Sequence, residues 1–99
     1  MIVHCVFYWL KDGVTREERA EFDKGLRLVT TIPSVHVFVG APAPTNQPDI
    51  DRSYSQALVI AFRDMAGRDE FQSHPAQVAF RETCARLCAK VQAYDFHDK

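Results

Sequence analysis

The first ten residues set the strongest constraint. Ile2-Val3-His4-Cys5-Val6-Phe7-Tyr8-Trp9-Leu10 is rich in β-branched and aromatic side chains, so it reads as a strand. It does not alternate apolar with polar. Cys5, Phe7 and Trp9 would face one way and Val6, Tyr8 and Leu10 the other, with His4 on the side of Val6 and Tyr8. The strand over 53–62 repeats this: Ala57, Val59 and Ala61 oppose Leu58, Ile60 and Phe62. A sheet built from such strands needs cover on both faces.

The elements between them define the topology. Asp12-Gly13 ends the first strand. Thr15 followed by Glu17 and Glu18 marks a helix start, with acids in the first turn to suit the dipole. That helix is expected over 16–31, with Phe22, Leu26, Val29 and Ile32 as its buried stripe and Pro33 as its stop. Val35, Val37 and Val39 alternate with His36 and Phe38 in a second strand ended by Gly40. Residues 41–52 carry three prolines and are expected to be a loop.

Asp64 caps a short helix to about Gln72. His74-Pro75 breaks it, and Pro75 suits the first position of a further helix to about Lys90. Phe80, Cys84, Leu87, Cys88 and Val91 are expected on one face of that helix. A last strand covers 91–97, where Gln92, Tyr94 and Phe96 oppose Val91, Ala93 and Asp95. The order β-α-β-β-α-α-β predicts a single domain over 1–99. It would be a ferredoxin-like α+β plait, a four-stranded antiparallel sheet with helices on one face. Helices can cover only one apolar face. The other predicts a homodimer packed sheet on sheet, since a large apolar patch in water is unfavourable. The alternative cover, the 41–52 loop, has little apolar surface to offer.

Composition narrows the function classes. Ninety-nine residues with 46% hydrophobic and 25% charged side chains are globular in character. Twelve basic against thirteen acidic residues show no basic stripe, so no nucleic-acid footprint is expected. No apolar run reaches membrane-spanning length, and the N-terminus lacks the basic flank and cleavage site of a signal peptide. Three cysteines without a CxxC pair suit reduced thiols in a cytoplasmic protein. Cys84 and Cys88, four apart, read as small hydrophobes, and two thiols fall short of a four-ligand zinc site. No metal and no cofactor are expected. Cys5 is expected toward the helix-facing core. His36 and His97 are expected toward solvent.

Several stretches together resemble the stress-responsive A/B barrel (Dabb) family of dimeric α+β barrels. They are His4 with Leu10-Lys11-Asp12, Ile32-Pro33, Arg52-Ser53-Tyr54, and Phe71-Gln72-Ser73-His74-Pro75-Ala76-Gln77-Val78-Ala79-Phe80. The resemblance spans nearly the whole chain. It implies a homodimer with a pocket between each sheet and its helices. It also implies, from family members that cyclise polyketides, a Tyr and a His that move protons. Those positions are Phe71 and Gln77 here, and a further pocket histidine falls at Gln56; only His4 and His74 match. A phenyl ring and an amide do not move protons near neutral pH. Some members hold a cation on backbone carbonyls, which would lie around Val29, Ile32 and Val35; the side chains there are apolar.

The candidate site is therefore His4 as acid–base group, with Tyr8, Tyr54, Gln56, Phe71, His74 and Gln77 as pocket residues. A few polar groups on apolar walls suit a small-molecule pocket. Three readings stay open. One is a dimer that binds a small apolar molecule. Another is a cofactor-free enzyme acting on a ketide or aromatic substrate through His4. The third is a structural protein that only oligomerises, with a filled interior. Each polar residue also has a plain alternative: His74 as a helix cap, His4 as a hydrogen-bonded strand residue, and the glutamines satisfying each other or the backbone.

Overall fold

The computed structural model describes residues 1–98. The elements run β1 (Ile2–Leu10), α1 (Arg16–Val29), β2 (His36–Gly40), β3 (Gln56–Phe62), α2 (Met65–Ser73), α3 (Pro75–Leu87) and β4 (Cys88–His97). The strands form one antiparallel sheet in the order β2-β3-β1-β4. This is the ferredoxin-like plait.

The local signals act as their chemistry requires. Gly13 takes a positive φ of 82° in the turn after β1, a conformation that side chains resist. Thr15 caps α1 through a full capping box with Glu18: Thr15 Oγ1 accepts from the Glu18 N–H, and the Glu18 carboxylate accepts from the Thr15 N–H. Asp64 caps α2 by accepting from the Gly67 N–H. His74 ends α2 and caps α3, its Nδ1 accepting from the Ala76 N–H at 3.1 Å.

Register decides the faces. Opposite β1, His4, Val6 and Tyr8 meet Ile60, Leu58 and Gln56 on one side, and Asp95, Ala93 and Val91 on the other. His4, Val6, Tyr8, Leu58, Ile60 and Phe62 are buried beneath the helices. Phe22, Leu26 and Val29 of α1 and Phe80, Cys84 and Leu87 of α3 complete the core. Tyr8, Phe22 and Phe80 meet ring to ring, with centroids 5.2–5.6 Å apart. A Cβ at Gly25 would stand 2.7 Å from a ring carbon of Phe80, so glycine is what lets α1 approach α3.

Four sequence expectations need correction. Cys5 does not face the helices: it lies on the open side of the sheet between Val59 and Tyr94, because the core side is taken by His4, Val6 and Tyr8. α3 stops at Leu87, and β4 begins at Cys88, three residues earlier than the alternation suggests. Pairing of Cys88 with Leu10 and Lys90 with Trp9 recruits that segment into the sheet; Cys88 stays buried at the end of α3 as its C-cap, and Val91 belongs to the strand. α1 ends at Val29, where Thr30 and Thr31 turn the chain by bonding back to Arg27 and Leu28 with their hydroxyls. β3 starts at Gln56, since Ser53 and Ser55 spend their side chains on Trp9 and on the Leu10 N–H.

Apolar side chains from all four strands dominate the open face. Phe38, Val59, Cys5 and Tyr94 stand in one register row; His36, Ala61, Val3 and Phe96 stand in the next. The 41–52 loop leaves this face bare: Phe38, Tyr94 and Phe96 are each more than half exposed.

Candidate functional site

A cavity of about 460 Å³ lies between α3 and the β1/β4 half of the sheet. Val6, Phe80 and Ala93 supply apolar wall; His4, Tyr8 and Gln77 supply polar groups; Arg81 and Lys90 stand among the lining residues. The volume falls within the range of small-molecule sites.

β1 and β4 position His4. Asp95 is its in-register partner, and His4 Nδ1 lies 2.5 Å from Asp95 Oδ1. Arg68 of α2 donates from Nη2 to the other carboxylate oxygen at 2.8 Å. Partial burial works to raise the Asp95 carboxyl, but the hydrogen bonds from His4 and Arg68, with their charges, hold it below the usual carboxylate range. A carboxylate can only accept, so it selects the tautomer with the proton on Nδ1 and leaves Nε2 as an acceptor. Phe71 packs edge-on against the imidazole at 5.6 Å between centroids. The arrangement can take a proton at Nε2 and steady the imidazolium that results.

Gln77 is 7% exposed, and its Oε1 has no hydrogen-bond partner among the described residues. Buried amide oxygens normally have one. The Tyr8 phenol is also buried, which pushes its pKa up, with the nearby Cys84 and Cys88 adding to the rise. It is therefore a neutral hydroxyl at any ordinary pH.

The structure gathers some of the expected residues and separates others. His4, Tyr8 and Gln77 line the cavity, and Phe71 backs His4. Gln56 points elsewhere, with its amide donating to the Gly40 and Ala57 carbonyls. Tyr54 lies on the open side of the sheet, edge-on to Phe7 and Trp9. His74 is occupied as a helix cap. Asp95 and Arg68 are the additions. Sequence alternation already set Asp95 on the strand face of Val91 and Ala93, and a carboxylate among apolar neighbours was the signal. Its partner is set by strand register, which the sequence does not display. Among the described residues no three His, Cys, Asp or Glu side chains are placed to share a metal ion.

The Asp95 contacts carry a pH consequence. Its carboxyl is depressed in the folded chain, so the stabilisation is present above the unfolded value of about 3.9 and is lost as pH falls through the folded value. Asp95→Asn is therefore expected to be less stable than the parent at pH 7, with the gap closing in acid below about pH 4. Urea unfolding at several pH values measures this; a gap that stays constant into acid contradicts it.

The family model of the stress-responsive A/B barrel domain matches residues 2–98. The chain belongs to that family. Among solved structures, a Dabb protein with a ferredoxin-like fold from Mesorhizobium loti is 24% identical, with a TM-score of 0.76, covering 99% of this chain and 96% of that one. A dimeric ferredoxin-like protein of unknown function from Thermobifida fusca is 21% identical, with a TM-score of 0.77 over 96% of this chain and 88% of that one. A hydroxynitrile lyase from Passiflora edulis is 16% identical, with a TM-score of 0.75 over 96% and 90%. At such identities the likeness establishes the fold alone. No functionally curated protein matches the chain. No helix among the described residues is long and apolar enough to cross a membrane.

Proposed function

We propose that this Dabb chain is a homodimer in which each protomer binds one small, largely apolar molecule in the cavity between α3 and the β1/β4 half of the sheet. The observation that carries the reading is Gln77, a buried amide on the cavity wall whose Oε1 lacks a partner. A ligand hydroxyl or N–H supplies that partner, and the apolar walls take the rest of the molecule. A purely structural protein would be expected to fill this interior with side chains. The bare open face of the sheet and the dimeric relatives support the homodimer. Three free thiols suit the cytoplasm.

A second reading, cofactor-free acid–base catalysis by His4 on a ketide or aromatic substrate, is favoured by one observation. His4 faces the cavity with its tautomer set by an Asp95 carboxylate that Arg68 anchors. The Passiflora neighbour is a lyase, and an enzyme on this fold is thus physically feasible.

Native mass spectrometry of protein purified without denaturation tests the binding reading. It is expected to show a dimer carrying a co-purified small molecule. Gln77→Leu is expected to lower ligand occupancy about tenfold, the worth of one buried hydrogen bond, while raising the ligand-free melting temperature. Unchanged occupancy in this variant, or an empty parent protein, would falsify the assignment.

A further inference from the structure

The cavity has a second chemical end, away from His4. Where α3 passes into β4, Cys84 and Cys88 both line it. Cys88 has already taken extended backbone angles (φ −101°, ψ 137°), yet its N–H still donates to the Cys84 carbonyl. The two residues therefore stay one helical turn apart. They are 7% and 8% exposed, so the cavity is their route to solvent. Their side chains are neighbours. The adjacent Cys88 thiol, together with burial, pushes the Cys84 thiol up. The adjacent Cys84 thiol, with attraction from Lys11, holds Cys88 below the ordinary thiol range in spite of burial.

Spacing decides what such a pair can do. A disulfide wants Cβ atoms about 3.8 Å apart. Side chains four apart on a helix hold them at roughly 5–6 Å. An S–S bond would have to unwind the end of α3, which packs against α1 through Phe80. Zinc in a structural site asks for four ligands, and among the described residues not even three are gathered. A soft ion content with two sulfurs is different. With metal–sulfur bonds of about 2.3 Å, two opposed bonds span roughly 4.6 Å between sulfurs, within reach of two cysteine side chains whose Cβ atoms stand about 5–6 Å apart. We propose that Cys84 and Cys88 form a two-thiolate site for a soft monovalent cation of the copper(I) class. Thiolate ligands select that class over harder ions.

The step needs no oxidant. Each thiol releases its proton to solvent, each sulfur gives an electron pair to the ion, and the ion keeps its charge state. The resulting two-thiolate complex carries one net negative charge, which Lys11 partly offsets, while burial of both residues limits access by water. The site does not depend on ligand binding at Gln77 and His4. Cys88 pairs with Leu10, six residues along β1 from His4, or roughly 20 Å of strand. Cys5 faces the other side of the sheet and serves as the internal control.

The test is anaerobic titration of the reduced full-length protein with copper(I) held by a chromophoric chelator. One ion per chain is expected, with a thiolate-to-copper charge-transfer band in the ultraviolet. Cys84→Ser and Cys88→Ser should each weaken binding at least about a hundredfold, the loss of one of two ligands, while Cys5→Ser leaves it unchanged. Circular dichroism establishes that each variant is folded. The parent protein gives a second measurement free of mutations: phenylarsine oxide, which bridges two thiols with loss of one water, should bind once per chain and abolish copper uptake. Full affinity in either single variant overturns the proposal. So does dependence on Cys5, or copper uptake that persists after arsenical capture.

Discussion

Phe38→Asp is expected to split the proposed dimer into monomers that keep their fold. Phe38 sits on the edge strand β2 and is 66% exposed in the single chain, so the monomer loses little by the change. In a sheet-on-sheet dimer the same side chain would be covered. Phe38 heads the row Phe38, Val59, Cys5, Tyr94 that crosses the whole open face. A two-fold interface uses each residue twice, so one substitution removes two buried rings and buries two carboxylates. Losing the burial of a phenylalanine costs about 1.5–3 kcal/mol, and an unpaired buried carboxylate adds to that. A total of at least about 4 kcal/mol corresponds to roughly a thousandfold in the dissociation constant. Sedimentation velocity at micromolar concentration should show the mass halved, with the far-ultraviolet circular dichroism retained. Met65→Asp, at an exposed position on α2 outside the sheet, should leave the dimer whole. A Phe38→Asp protein that sediments like the parent would show that something other than this face holds the copies together.

Phe22→Ala is expected to cost about 3–5 kcal/mol of folding stability. Phe22 is fully buried and touches both other rings of the Tyr8–Phe22–Phe80 cluster. That cluster ties α1, α3 and β1 together, so the cavity left by alanine cannot close without moving a helix. A domain of this size has about 5–15 kcal/mol in total. The melting temperature should fall by upwards of about 12 °C, by the usual scaling for domains under a hundred residues. Leu28→Ala, on the half-exposed side of the same helix, should stay within about 0.5 kcal/mol. Because dimerisation adds to apparent stability, the comparison belongs at one protein concentration. Equal losses at the two positions would mean that α1 is not held by this cluster.

The basis of both predictions was largely legible in the sequence. The Phe22 stripe follows from helical periodicity alone: Phe22, Leu26 and Val29 recur at i, i+4 and i+7, and α1 buries them. The need for cover on the open face also follows from the sequence, because two strands carry apolar side chains on both faces. Caps at Thr15, Asp64 and His74 were legible for the same reason, since each is a contact within a few residues. What went astray depended on pairing between distant segments. The β4 start moved to Cys88 because β1 recruits it, and Cys5 changed face because strand register, not local pattern, aligns His4 with the core. Gln56 and Tyr54 lie near β1 in the sheet but not at the cavity, since one bonds its own sheet edge and the other sits on the opposite face.

The sequence by itself determined the element order, the two-faced apolar sheet and the absence of the Tyr and His at Phe71 and Gln77. These are properties of single residues or short windows, where propensity and periodicity act directly. Only the tertiary structure decided the chemistry of the cavity. It brought Asp95 and Arg68 to His4 across 91 and 27 residues of chain respectively from Asp95, left Gln77 Oε1 without a partner, and opened the Cys84–Cys88 pair onto the same space. Antiparallel register and helix packing set those distances, and neither is written in the spacing of residues along the chain.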